Sequence, residues 1–387
     1  MTPIDEQMML RALELAERGR GRVEPNPVVG AVVTQGETVV GEGWHQAFGG
    51  PHAEVHALKA AGERARGATL YVTLEPCSHF GKTPPCTDAV IAAGISRVVA
   101  AMQDPFHQVS GSGFAKLRDA GIKVEVGLCE NQAQRINAPF VKLNIVGIPF
   151  VIAKWAMTLD GKTATVSGAS TYISGDASRA IVHQLRDRVD AVVIGIRTAL
   201  ADDPLLTCRL PNGRNPRRII IDTHAQLPLT SKLVKTVADA PVWVACGKSA
   251  PADAVSALED AGCRVILLPE LRDGVDVEAL AELLGTERLT NVLVEGGSTV
   301  LASFFEAKLV DRVVVFVAPK LLGGKDAPTP IGGRGLQLLE HAYTVADAKA
   351  TPVGSDLMIE GDVVYSDADD AGGCKGCGSR HKDESPA

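Results

Sequence analysis

Aromatic residues are scarce in this chain: Trp, Tyr and Phe together make only 4% of its 387 residues. Its cores must therefore be aliphatic and rich in alanine. No stretch approaches the ~18 consecutive apolar residues of a membrane-spanning helix. Residues 1–20 mix acidic with apolar side chains and lack the basic start and apolar run of a secretion signal, so a cytoplasmic location is expected. Basic charge is not in excess either. Lys and Arg number 39 against 46 Asp and Glu, a net charge of -7. That disfavours nucleic acid as a main partner but leaves room for a local basic pocket that takes one phosphate. There is no internal repeat, and no G-x-G-x-x-G, so a standard dinucleotide-binding Rossmann domain is disfavoured. The eight cysteines are scattered, and in a cytoplasmic protein grouped cysteines read as metal ligands rather than disulfides.

What is present is ordinary globular composition, 45% hydrophobic and 22% charged, over a length that suggests two or three domains. Residues 8–16 place Met8, Met9, Ala12, Leu13 and Ala16 on one helical face. Strands are expected at 28–33, 38–43, 69–74, 98–102 and 123–126, with helices at 51–61, 87–93 and 114–120, the last two closed by Gly94 and Gly121. Such alternation predicts a three-layer α/β sandwich. Residues 130–147 read as a connecting helix and linker. A second α/β run has strands at 150–154, 191–195, 218–222, 242–245, 264–268, 291–295 and 312–317. Its clearest helices are at 178–188 and 298–307. The expected organisation is residues 1–146, residues 147–365, and a disordered Gly/Ser/Lys-rich tail at 366–387. Cys374 and Cys377 with His381 form at most an incomplete metal knuckle there.

Two segments of the first half carry chemistry. His52-Ala53-Glu54 opens a helix, and Pro76-Cys77 is followed at some distance by Cys86. One imidazole and two thiolates are the three protein ligands of a catalytic zinc site, with the fourth position left for water. Zinc lowers the pKa of such a water towards neutrality. Glu54, a non-ligand carboxylate, then shuttles protons between that water and a leaving amine. His56, one turn after His52, reads as a packing or surface histidine.

The segment Pro76-Cys77-Ser78-His79-Phe80-Gly81-Lys82-Thr83-Pro84-Pro85-Cys86 is similar to that of riboflavin-biosynthesis deaminases, in which the two cysteines are more than two residues apart. Pro25-Asn26-Pro27-Val28-Val29-Gly30-Ala31, Gly41-Glu42-Gly43-Trp44-His45 and the stretch 104–113 resemble the same family, although Phe106-His107 stands where the family usually has Asn-Pro. The resemblance covers nearly the whole chain except the tail. It implies a cytidine-deaminase-like first domain acting on a diaminopyrimidine ribotide. Asn26, His45, His79 and Lys82 would line its substrate pocket, Lys82 as a partner for the ribose phosphate.

In the second half, Lys154-Trp155-Ala156-Met157-Thr158-Leu159-Asp160-Gly161-Lys162, the run 195–207 and Val294-Glu295-Gly296-Gly297-Ser298-Thr299 each follow a strand, at the sheet edge where α/β folds bind ligands. Glycines let main chain approach a phosphate, and a helix start presents free N–H groups to it. Together these segments look like the pyrimidine reductase of the same pathway, whose fold is similar to dihydrofolate reductase. That implies NADPH and reduction of a ribosyl group to ribityl. Ala156, Tyr172, Thr198, Asp202, Thr223 and the turn Gly297, Ser298, Thr299, Val300, Leu301, Ala302 and Ser303 would hold the cofactor. Ser170, Arg186, Leu206, Arg209 and Glu295 would hold substrate, with Arg186 and Arg209 suited to phosphate. Asp202 is placed suggestively for proton donation, but Asp-Asp-Pro is also turn chemistry. A homo-oligomer is expected.

Two other readings compete. A nucleic-acid base deaminase would show a basic face and a two-residue spacer between the cysteines, and neither is present. A binding protein that kept only the fold would have lost Glu54 or a ligand, and all four residues are in place.

Overall fold

The computed structural model describes residues 1–106, 110–271 and 274–366. The tail with Cys374, Cys377 and His381, and His107 within the 104–113 stretch, lie outside the described residues.

The first unit is a five-stranded sheet of β1 (Gly30–Gln35), β2 (Thr38–Trp44), β3 (Thr69–Val72), β4 (Arg97–Ala100) and β5 (Lys123–Val126) in the order β2-β1-β3-β4-β5. Strands β3, β4 and β5 run parallel, and β1 is antiparallel to both neighbours. Its helices are α1 (Pro3–Glu17), α2 (Ala53–Ala61), α3 (Cys86–Ala92) and α4 (Ser112–Asp119). Helix α1 has a well-formed start: Thr2 caps it, Pro3 sits in the first turn, and the Asp5 carboxylate accepts from the Thr2 N–H. Its Met8, Met9, Ala12, Leu13 and Ala16 are buried, as the spacing predicts.

Glycine decides how closely α1 and α2 approach the sheet. A Cβ on Gly30 would lie 1.9 Å from the Ala12 carbonyl of α1, and one on Gly43 would lie 2.5 Å from the Ala53 carbonyl of α2. Gly30 pairs with Trp44, and Gly43 with Ala31. Successive residues of a strand face opposite sides, so α1 and α2 cover opposite faces and three layers result. The core between them is aliphatic, built from residues such as Val32, Leu70, Val98 and Leu117, each fully buried.

The expected connecting helix is two helices, α5 (Glu130–Ile136) and α6 (Ala138–Ile145). The break falls at Asn137, whose buried side chain accepts from the Val28 N–H at 2.9 Å and donates to the Val28 carbonyl at 3.0 Å. An asparagine spent on a distant segment serves its own helix poorly.

The second unit is a nine-stranded mixed sheet. Its strands are β6 (Phe150–Thr158), β7 (Ala191–Gly195), β8 (Arg217–Ile221), β9 (Val242–Gly247) and β10 (Arg264–Leu268), then β13 (Asn291–Gly296), β14 (Val310–Ala318), β15 (Thr344–Val353) and β16 (Asp356–Val364). A short hairpin, β11 (Glu270–Leu271) with β12 (Gly274–Val275), stands beside it. The order is β10-β9-β8-β7-β13-β6-β14-β16-β15. Around it lie α7 (Asp176–Arg188), α8 (Ile196–Asp202), α9 (Lys232–Lys235), α10 (Ala252–Asp260), α11 (Val277–Thr286) and α12 (Ser298–Glu306).

Two expectations need correction here. The strand expected to stop at residue 154 runs on to Thr158, because β14 pairs with it in parallel as far as Ala318 opposite Thr158. The hairpin β15–β16 was not expected at all. Strand β15 is rich in alanine and carries Asp347 and Lys349, so its composition is a poor strand signal. Pairing with β16 and a turn through Gly354, whose φ is +61°, make it a strand nonetheless. Among the described residues no helix is long and apolar enough to cross a membrane.

Candidate functional site

Two helix starts and a loop bring the three expected metal ligands together. His52 occupies the cap position of α2 but makes no capping bond with its side chain, so the imidazole stays available. Cys86 is the first residue of α3, directly after Pro85. Cys77 lies on the loop after β3, and its Sγ accepts the Cys86 N–H at 3.3 Å. His52 Nδ1 lies 3.2 Å from Cys86 Sγ and 3.6 Å from Cys77 Sγ. All three donor atoms fall within 4.8 Å of one another, and His56 is not in this group.

Electrostatics says what this group wants. The two thiols compete for a proton: the bond from Cys86 pushes Cys77 well below the usual thiol range, while that bond and burial push Cys86 up. The bond with Cys77 raises His52. A divalent cation discharges this competition, because it favours both sulfurs as thiolates and the imidazole as neutral. The donor set fits zinc.

Glu54, two residues on, is 3% exposed and lines the same cavity. Burial pushes its carboxyl up to about 6, and its Oε2 is buried with no hydrogen-bond partner. A carboxylate in that state is poised to exchange protons near neutral pH.

The cavity over this cluster is about 500 Å³. Asn26, His45, His79 and Lys82 all line it. Asn26 Nδ2 lies 3.2 Å from His45 Nε2, and His45 Nδ1 lies 3.1 Å from the Pro51 carbonyl. The His45 ring meets His52 edge-on at 5.2 Å. The Lys82 ammonium rests 3.8 Å over the Phe48 ring at the mouth.

Three parts of this wall were missed from sequence. Phe140 and Asn144 of α6 close the cavity, so the supposed linker forms part of the site. Glu75 is the third. Its buried carboxylate accepts from Asp104 and Gly111 N–H on one oxygen and from Gly113 and Phe114 N–H on the other, at 2.8–3.3 Å. It thereby ties the loop that carries Cys77 to the wall that carries Asp104 and Phe106. A glutamine offers one acceptor oxygen in place of two. Glu75→Gln is therefore expected to cost about 2 kcal/mol of stability and to raise KM for deamination with zinc retained. An unchanged melting temperature and KM would remove this clamp.

The second site lies at the strand ends of the larger sheet. Arg186 on α7 grips Glu295 on β13 with both arms, Nε to Oε1 at 2.6 Å and Nη2 to Oε2 at 2.8 Å. Its Nη1 donates to the Thr207 carbonyl at 3.3 Å. Much of the fork expected to face a phosphate is thus engaged, while Arg209 is exposed. Lys154 opens the Lys154–Lys162 segment at the end of the expected strand. The pairing of β6 with β13 sets it beside this ion pair, with Nζ 4.0 Å from Glu295 Oε2. Burial holds the Lys154 pKa below the usual lysine range despite that carboxylate.

The remaining expected residues divide. The Ser170 hydroxyl meets Asp202 Oδ1 at 3.2 Å, joining the 163–175 loop to the end of α8. Tyr172 is exposed, with the Arg179 guanidinium 4.2 Å from its ring. Ala156 lies within β6, and Thr223 follows β8. Leu206, with φ of +55°, has its side chain in the core, which leaves mainly main chain for a ligand. Gly297, Ser298 and Thr299 form the turn into α12, and Ser303 bonds back to the Thr299 carbonyl. The side chains of Val300, Leu301 and Ala302 are buried in the core. No side chain caps α12, so its first N–H groups are available to an anion such as NADPH.

Comparison with known proteins agrees with this geometry. Residues 2–102 match the cytidine and deoxycytidylate deaminase zinc-binding region, and residues 149–359 match the RibD C-terminal domain. A riboflavin biosynthesis protein RibD of Aquifex aeolicus is 43% identical over 92% of this chain and 98% of its own length. The chain belongs to the RibD family. A RibD structure from Acinetobacter baumannii superposes with a TM-score of 0.82 at 36% identity, covering 94% of this chain and 99% of that one. A Thermotoga maritima structure described as a diaminohydroxyphosphoribosylaminopyrimidine deaminase/5-amino-6-(5-phosphoribosylamino)uracil reductase gives 0.81 at 36% identity, covering 93% and 99%. As a RibD protein this chain is a bifunctional enzyme of riboflavin biosynthesis, with a zinc-binding, cytidine-deaminase-like domain and an NADPH-dependent reductase domain.

Proposed function

We propose that the chain deaminates 2,5-diamino-6-(5-phosphoribosylamino)pyrimidin-4(3H)-one and then reduces the ribosyl group of the product, giving 5-amino-6-(5-phosphoribitylamino)uracil. The observation that carries this reading is the grouping of His52, Cys77 and Cys86 at the floor of a cavity that His52 and Cys77 line together with Glu54, one of whose carboxyl oxygens is buried without a partner.

In the first step water replaces the ring amine and ammonia leaves. His52, Cys77 and Cys86 hold zinc, which when bound makes water a better nucleophile near neutral pH. Glu54 takes a proton from the attacking water and returns it to the departing amine. Asn26 offers a donor and an acceptor to the pyrimidine edge, with His45 and His79 beside it. Lys82 at the mouth meets the ribose phosphate.

In the second step NADPH, when bound, supplies the hydride for the ribose C1. The C1–oxygen bond of the ring breaks, and the ring oxygen needs a proton. Lys154 is the buried acid placed beside Glu295 and Arg186 to give it. Asp202 is exposed and bonded to Ser170, a weaker position for that task.

Residues 1–146 and 147–365 are the two catalytic units, acting in the cytoplasm on small molecules with no nucleic-acid or membrane partner. A second copy of the chain is the expected partner. Leu321 and Leu339 are 73% and 91% exposed, and β15 offers an open sheet edge. Sedimentation of the purified chain as a monomer would remove that partner.

Metal depletion tests the function as a whole. Chelation is expected to stop ammonia release from the diaminopyrimidine ribotide, and added zinc to restore it. NADPH oxidation on the already deaminated ribotide should persist throughout. Deamination that survives complete loss of metal would overturn the first assignment.

A further inference from the structure

We propose that Arg197 binds the diphosphate of the nicotinamide cofactor. The proposal rests on the reading of the larger sheet as an NADPH site, and goes beyond it by naming a residue and the part of the cofactor it meets.

Strands β7 and β13 are parallel neighbours, and each runs into a helix through a glycine, Gly195 before α8 and Gly297 before α12. The two turns are packed into one surface. A Cβ on Gly195 would lie 2.8 Å from Val300 Cγ2, and one on Gly297 would lie 3.3 Å from the Thr198 hydroxyl. Gly297 also has φ of +84°, so a side chain there would be strained by conformation as well as crowded by Thr198.

Arg197 extends from the first turn to the second, where its Nη2 donates to the Thr299 hydroxyl. The side chain is exposed, and among the described residues no carboxylate lies within ion-pair distance of it. A guanidinium carries five N–H donors in a planar fork suited to phosphate oxygens. Here one of them meets a neutral hydroxyl, and the positive charge stands uncompensated beside the uncapped start of α12.

NADPH has two anionic parts, and the order of the strands selects between them. The sheet runs β8-β7-β13-β6. Lys154 and Glu295, where the nicotinamide must deliver its hydride, lie on β6 and β13. Thr223 lies beyond the end of β8, on the far side of β7. A dinucleotide stretched from the reacting end to Thr223 crosses the β13 and β7 turns with its middle, and its middle is the diphosphate. The 2′-phosphate belongs to the adenosine end, nearer Thr223.

Equilibrium titration of the full chain with NADPH and with NADH, without substrate, tests this. Arg197→Ala is expected to raise Kd for both cofactors by the same factor, roughly tenfold for a lost charge-assisted hydrogen bond. Arg197→Lys should recover part of that loss, because a point charge remains but the fork is gone. Arg197→Gln, which keeps most of the length, should behave as alanine does, and a wild-type melting curve shows that it is folded. Unchanged Kd values would overturn the proposal. So would a loss confined to NADPH, which would place the guanidinium at the 2′-phosphate. Wild-type chain that binds neither cofactor would instead overturn the reductase reading on which the proposal rests.

Discussion

Glu54→Gln is expected to lower the rate of ammonia release by ~10²–10⁴-fold while leaving zinc content and NADPH oxidation on the deaminated ribotide at wild-type levels. The two side chains have nearly the same shape, so packing around α2 should persist. An amide cannot accept a proton and hand it on, whereas the Glu54 carboxyl is buried with one oxygen unpartnered and faces the cavity. Glu54 is not one of the three grouped donors, so the metal should stay bound. The measurement is a coupled ammonia assay beside metal analysis of the same preparation. Deamination near the wild-type rate would take the proton shuttle away from Glu54. Loss of zinc together with activity would make it a structural residue of the site.

Lys154→Met should have the next largest effect, reducing NADPH oxidation by ~10²-fold or more with deamination unaffected. Methionine keeps an unbranched apolar stem and removes the ammonium, which lies 6.0 Å from the centre of the Phe316 ring. Glu295 retains its two-armed pair with Arg186, so the variant does not strand a buried charge. Cofactor binding should therefore survive, and a titration with NADPH separates binding from turnover. The wild-type pH profile provides a second check. Burial lowers the Lys154 pKa, and the acid is present only below that pKa. Reduction by the wild type should thus fail on the alkaline side, at a pH below the ordinary lysine value. The methionine variant should have lost that limb. If its rate stays within a few-fold of wild type, the proton comes from elsewhere.

The grouping of His52, Cys77 and Cys86 was legible because its information is local. His52 and Glu54 belong to one helix start, and Cys86 opens another directly after a proline. Residue type alone names the donors, and helix starts say which way they point. The aliphatic core and the buried face of α1 were legible for a similar reason, since a period of 3.6 or 2 is written along a short stretch. The hairpin β15–β16 was not, because strand β15 owes its state to its neighbour rather than to its own alanines and charges. Lys154 was visible at the end of an expected strand but had no role until the parallel pairing of β6 with β13 set it beside Glu295.

By itself, then, the sequence determined the donor chemistry, the alternation of strands and helices, and the starts of the helices that carry the ligands. Only the tertiary structure decided which side chains share a cavity. Asn144 on α6 faces the same space as Asn26, and Arg186 reaches a glutamate 109 residues further along the chain. Such contacts depend on the order in which strands join a sheet and on which face each helix covers. Pairings of that kind are set by burial summed over the whole fold, and no short window of residues contains them.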